Sequence, residues 1–174
     1  MFPNAIPLFR LAGFSVRVDW SWLILFVLIT WSLAVGVFPQ FYPDRQPPVY
    51  LAMGVAGSLG LFLSIVLHEL GHSLVARGYG VEMRGITLFI FGGVAEMGDE
   101  PPSAVAEFWI AVAGPITSVM ISVGCFLFGI VGGWAGLPGS ITGVLMYLAL
   151  INAVLVAFNM VPAFPLDGGR VLRA

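Results

Sequence analysis

Four stretches of the chain are apolar for about 20 residues or more, the length needed to cross a bilayer as a helix. They are 20–38, 50–76, 104–134 and 141–161. The first is uncharged and carries Trp20, Trp22 and Trp31. The second holds His68, Glu69 and His72 within its apolar run, and the third has Glu107 near its start and Gly114-Pro115 inside it. The fourth ends at Pro162. Turn residues fill the connections at 39–48, 99–102 and 136–139. The pattern predicts an α-helical polytopic membrane protein of about four spans, in one core domain over 1–174. Gly114-Pro115 is expected to bend or break the third helix.

One segment follows a different rule. Residues 85–97 contain an apolar run of six, Ile86 to Phe91, too short to span as a helix and rich in β-branched and aromatic side chains. Gly92-Gly93 closes it. A strand and turn is expected there, a short β hairpin associated with the membrane, with an interfacial loop as the alternative. Irregular or extended backbone is tolerated at membrane depth only against protein or a wet cavity.

Composition agrees with the pattern. Hydrophobic residues make up 59% of the 174 and charged residues 9%, against about 25% charged in soluble domains. Mean hydropathy is +1.01. The net charge of -2 says little with so few charges, and no basic cluster points to nucleic acid. Cys125 is the single cysteine and reads as a small packing residue. Residues 1–19 lack an apolar segment followed by a small-residue cleavage site, so no signal peptide is expected there. All seven basic residues are Arg. With the N-terminus in the cytoplasm, the inner segments hold Arg10, Arg17, Arg77, Arg84, Arg170 and Arg173, and the outer ones only Arg45. Both ends of the chain are therefore expected on the cytoplasmic side.

The chemistry concentrates in His68-Glu69-Leu70-Gly71-His72. Residues four apart share a helix face, so both imidazoles can reach one ion, with Glu69 close enough to serve a water beside it as general base. Ionisable groups within a span cost roughly 2.5–3.5 kcal/mol for a central charge, and a metal supplies the reason for three of them. Glu69 is eight residues before Arg77, about 12 Å along a helix, which places the site in the cytoplasmic half of the bilayer. A catalytic zinc usually takes three protein ligands. Asp167 is the best third candidate, because the fourth span runs from outside to inside and delivers it to the same side as the histidines. Glu96 is kept as a weaker alternative, and Glu82, Asp99 and Glu100 read as solvated loop charges. Asn152 and Asn159 share a face of the fourth span. Helix packing suits Asn152, whereas Asn159 reads equally as packing or as a contact to substrate backbone or an oxyanion.

These residues carry a resemblance. The His68–His72 motif, Gly92-Gly93-Val94-Ala95, Ala113-Gly114-Pro115 and the run Asn159-Met160-Val161-Pro162-Ala163-Phe164-Pro165-Leu166-Asp167-Gly168-Gly169-Arg170 resemble the site-2 protease family in order and spacing from about residue 60 to 173. The resemblance implies one Zn2+ per chain on His68, His72 and Asp167, catalysis by Glu69, and a β segment at Gly92 and Gly93 that helps present substrate. It implies intramembrane endopeptidase activity on transmembrane segments of other proteins, in the manner of regulated intramembrane proteolysis, and a prokaryotic cell membrane as the location. A substrate strand is expected to add to the Ile86–Phe91 segment. Ser118 stands where many members have Asn, and the chain ends where members usually continue, some into paired CBS domains, so a truncated form is expected. Two other readings of the histidines are a metal transporter and an inactive relative that binds transmembrane partners. The spans around the His pair lack further ligands for an ion pathway, and an intact Glu69 argues for catalysis.

Overall fold

The structure is a computed structural model that describes residues 6–89, 92–98 and 100–174, with the backbone alone at 83, 84, 92 and 94–97. Strands β1 (Ile6–Leu11) and β2 (Phe14–Val18) lead into α1 (Ser21–Trp31), a π-helical segment (Ser32–Val37) and α2 (Phe38–Phe41). The long α3 (Pro47–Gly78) follows, then β3 (Met83–Phe89), β4 (Gly92–Met97), α4 (Ala104–Trp134), α5 (Gly139–Asn159) and α6 (Asp167–Arg173). Four helical stretches are long and apolar enough to cross a membrane: Ser21–Phe41, Pro47–Gly78, Ala104–Trp134 and Gly139–Asn159. They match the four predicted spans, and the protein is an integral membrane protein.

The helix ends follow local rules. Pro47 and Pro48 open α3, where a missing N–H is harmless. Ser103 Oγ accepts the Ala106 N–H at the start of α4. Both long helices stop at a left-handed glycine. Gly80 (φ 78°) follows α3, with Val81 N–H donating to the Ala76 carbonyl, and Gly136 (φ 83°) follows α4, with Leu137 N–H donating to Gly132. Pro115 does not break α4, which runs continuously from Ala104 to Trp134. The expected break is thus absent.

Contacts along α3 set the directions of its neighbours. The first span descends against it, from Trp22 on Phe62 through Thr30 on Ser58 to Phe38 beside Met53. The fourth span runs parallel to it, with Tyr147 at Gly57, Leu148 at Gly60 and Asn152 donating to Ser64 Oγ at 2.9 Å. α4 runs antiparallel, with Thr117 and Ala113 against Gly71. A Cβ at Gly71 would lie 2.9 Å from the Ala113 carbonyl oxygen, so glycine is what lets the two backbones meet.

The sheet has four strands in the order β1-β2-β3-β4. β2 pairs with β3 in parallel, and the outer pairs are antiparallel. The hairpin expected at 85–97 is present. Gly92 and Gly93 do not form its turn, however; they open β4 and pair with Phe89 and Leu88. Residues 90 and 91 of the expected strand lie outside the described residues. β1 and β2 were not anticipated. The sheet packs one face on α3, Val16, Val18 and Leu88 on Val66, and Phe14 and Ile86 on Leu70.

Candidate metal centre

His68 and His72 are one turn apart on α3 and both are buried. Each ring is fixed by its Nδ1. His72 Nδ1–H donates to the Ile110 carbonyl at 2.6 Å, and His68 Nδ1 is hydrogen-bonded to Ser118 Oγ at 2.9 Å. A carbonyl can only accept, so the proton of His72 resides on Nδ1 and Nε2 presents a lone pair. Both partners lie on α4, one helical turn or so either side of Gly114. A Cβ at Gly114 would collide with Nε2 of both histidines, so the absent side chain leaves the space into which the rings point.

Asp167 reaches the same point. It opens α6 and is buried. Its Oδ2 is 3.2 Å from His68 Nε2 and 3.3 Å from His72 Nε2, and the two Nε2 atoms are 3.2 Å apart. The chain gets there because the loop after α5 folds tightly under α6. A Cβ at Gly169 would sit 2.7 Å from the Ala163 carbonyl oxygen, and one at Gly168 would strike the Met160 carbonyl. This gives the Leu166-Asp167-Gly168-Gly169 order a steric reason. At the far end of α6, Arg173 is ion-paired with Glu107 of α4. Burial alone would raise the Asp167 carboxyl, but where the His68 and His72 rings are protonated their hydrogen bonds and charge prevail and hold it below the usual carboxylate range.

The donor set suits a divalent metal. Zinc bonds of about 2.0–2.1 Å in a tetrahedron place ligand atoms about 3.3–3.4 Å apart, close to the three separations here. Two imidazole nitrogens and a carboxylate, with both rings oriented through their other nitrogen, are ordinary zinc donors. Among the described residues, His68, His72 and Asp167 form the one group of three or more such side chains placed to hold an ion.

Glu69 faces the sheet. A Cβ at Gly93 would lie 2.9 Å from Glu69 Cγ, so β4 runs directly past the carboxylate-bearing side chain. Of the other candidates, Asn152 is buried between helices, donating to Ser64 Oγ and the Leu148 carbonyl. Asn159 donates to the Leu155 carbonyl of its own helix at 2.9 Å. The side chain of Glu96 lies outside those described. Sequence reasoning gave Ser118 no role, yet it is fully buried against His68. Its spacing from Gly114, four residues along one helix face, was the available signal. The Ile110 carbonyl had none.

A model of the peptidase family M50 matches residues 56–136 and 135–174. The chain belongs to this family. Among M50 relatives, a Mycobacterium tuberculosis protein named as the zinc metalloprotease Rip3 is 42% identical over 171 residues, 98% of this chain and 43% of Rip3. A Synechocystis protein named as a zinc metalloprotease is 37% identical over 98% of this chain and 44% of its own length. The chain therefore spans less than half the length of these curated relatives. The solved site-2 protease from Methanocaldococcus jannaschii is similar in structure, with a TM-score of 0.60 and 36% identity over 97% of this chain and 70% of that one.

Proposed function

We propose that this M50 chain is the core of an intramembrane zinc endopeptidase that hydrolyses peptide bonds in transmembrane segments of other proteins. The observation that carries the reading is the convergence of His68 Nε2, His72 Nε2 and Asp167 Oδ2 within 3.3 Å of one another, beside Glu69. One Zn2+ per chain would be held by His68, His72 and Asp167, where it would activate water and polarise a scissile carbonyl. Glu69 takes the proton of the attacking water and passes it to the leaving amine. Ser118 and the Ile110 carbonyl keep the two rings oriented throughout.

Substrate must be extended to expose its carbonyl. Over residues 86–88, β3 is paired on both sides, by β2 and β4, so a substrate strand has no free edge at that part of the expected segment. β1 and β4 are the edge strands, and it is β4 that Gly93 brings to Glu69. We assign Gly92 and Gly93 to the strand that takes a substrate backbone by β addition. Asn159, at the end of α5, would meet substrate by exchanging its bond to Leu155. The arginine distribution supports a cytoplasmic N-terminus and a site opening to the cytoplasmic half of the bilayer.

The test is cleavage of a panel of single-span membrane proteins in liposomes by the wild type and by Glu69→Gln, with zinc assayed on both. The expected result is about one zinc on each and a loss of roughly 10²–10⁴-fold or more in cleavage by the variant. Absence of zinc from both proteins would overturn the reading.

A further inference from the structure

A buried acceptor and a buried donor are left unmatched in the helix bundle, at the same level beside His68. The acceptor is on α5. Asn152 is 1% exposed, and its Nδ2 donates to Ser64 Oγ at 2.9 Å and to the Leu148 carbonyl at 2.8 Å. A carbonyl only accepts, which fixes the orientation of the amide. Asn152 Oδ1 is buried and has no hydrogen-bond partner among the described residues.

The donor is on α4. Ser118 is fully buried, and among the described residues its Oγ meets only His68 Nδ1. Other hydroxyls of these helices return their protons to the carbonyl four residues back: Ser58 to Gly54, Ser64 to Gly60, Ser73 to Glu69 and Thr117 to Ala113. Ser118 does not. With a cation on Nε2, His68 carries its proton on Nδ1 and donates it to Ser118 Oγ. The Ser118 hydroxyl then has a proton of its own to place, and His68 offers no lone pair to receive it.

The two unmatched groups are neighbours. Ser64 and His68 are one turn apart on α3 and both are buried, so Asn152 and Ser118 meet the same face of that helix. α4 and α5 run antiparallel, with Ser122 Oγ donating to the Ala149 carbonyl at 2.7 Å. Ser118 is one turn back from Ser122, and Asn152 about one turn on from Ala149. Both steps lead the same way, to one level where the three helices meet. Buried polar groups seldom stay unpaired, and an enclosed water joins such groups where a direct bond does not.

We propose that Asn152 is a positioning residue for the metal centre. Its Oδ1 takes the Ser118 proton through one bound water, so that Ser118 keeps a lone pair on His68 Nδ1–H. The chain runs from Asn152 through the water and Ser118 to His68, and it rests on the reading of His68 as a metal ligand. Asn152 itself touches neither metal nor substrate.

The experiment is a double-mutant cycle on zinc affinity. The full-length protein in detergent is loaded with Zn2+ and titrated with a competing chelator, as wild type, Asn152→Leu, Ser118→Ala and the double variant. Asn152→Leu is expected to weaken zinc about three- to tenfold, the size of one net hydrogen bond, and Ser118→Ala about 10–100-fold. The double variant should be no weaker than Ser118→Ala, because the chain is already cut at Ser118. A packing role for Asn152 would instead make the two losses multiply. If Asn152→Leu is not monodisperse, Asn152→Val takes its place in the cycle. Multiplying losses, or an unchanged zinc affinity in the Asn152 variant, overturn the proposal and leave the metal reading intact. Absence of zinc from the wild type overturns both.

Discussion

At two levels of the bundle, α3 meets a neighbour across glycine, and the two contacts serve different ends. Near its start, Gly54 lies under the Thr30 carbonyl and Gly57 under Tyr147, inside a cluster of Leu33, Phe38 and Met53. Polar groups at that level are satisfied close to home: Thr30 donates to Ser58, and Ser58 returns its hydroxyl to the Gly54 carbonyl. Near the other end, Gly71 and Gly114 bring α4 equally close, but the polar atoms are arranged differently. The Nδ1 side of each histidine is bonded, and the Nε2 sides are left facing one another and Asp167. Close approach packs helices in the first case. In the second it brings Nε2 of both histidines and Oδ2 of Asp167 to one point, an arrangement suited to a cation.

That contrast can be broken by substitution. Gly114→Ala puts a methyl group where the Nε2 atoms converge. The expected result is near-complete loss of zinc and of cleavage, with the protein still eluting as a folded species; retention of stoichiometric zinc would undo the account of the site. Leu33→Ala should do the opposite, lowering stability by about 2–5 kcal/mol, as buried leucine truncations do, with zinc content per folded protein unchanged. Thermal unfolding with parallel metal analysis separates the two. Ser118→Ala should leave the fold intact and weaken zinc about 10–100-fold in chelator competition. Ser118→Thr, which keeps the hydroxyl, should recover part of that loss. The smallest effect is expected from Arg173→Gln, since the Arg173 side chain is largely solvent-exposed. A modest rise in zinc dissociation rate, relieved at no pH between 6 and 8, would fit its place at the far end of α6 from Asp167.

The spans were legible because an apolar run of 20 residues has few other uses, and the His pair because four residues make one helical turn. Asp167 followed from counting crossings rather than from any local pattern. β1 and β2 were missed although Phe14-Ser15-Val16-Arg17-Val18 alternates with the period of a strand. Residues 1–19 were weighed only as a signal peptide, and a strand whose partner lies some 70 residues on, as Val16 does with Ile86, has no local signature. Of the bend or break expected at Pro115, the break is absent, since α4 continues through it. The orienting partners of the histidines were the least visible, one being a backbone carbonyl and the other a serine in a place often held by asparagine.

The π-helical segment Ser32–Val37 holds a consequence for the first span. Phe38 N–H donates to the Leu33 carbonyl, a step of five residues instead of four. The widened turn acts as a phase shifter. Leu33 and Phe38, which would diverge around an unbroken α-helix, come round to the same side and enter one cluster with Met53. Sequence numbering beyond residue 37 is thereby offset from the α-helical wheel that describes residues 21–31. Deleting one residue between Leu33 and Phe38 would leave the two four apart, already on one face of a regular α-helix, so the segment holds one surplus residue without losing the seat of the helix end in its cluster.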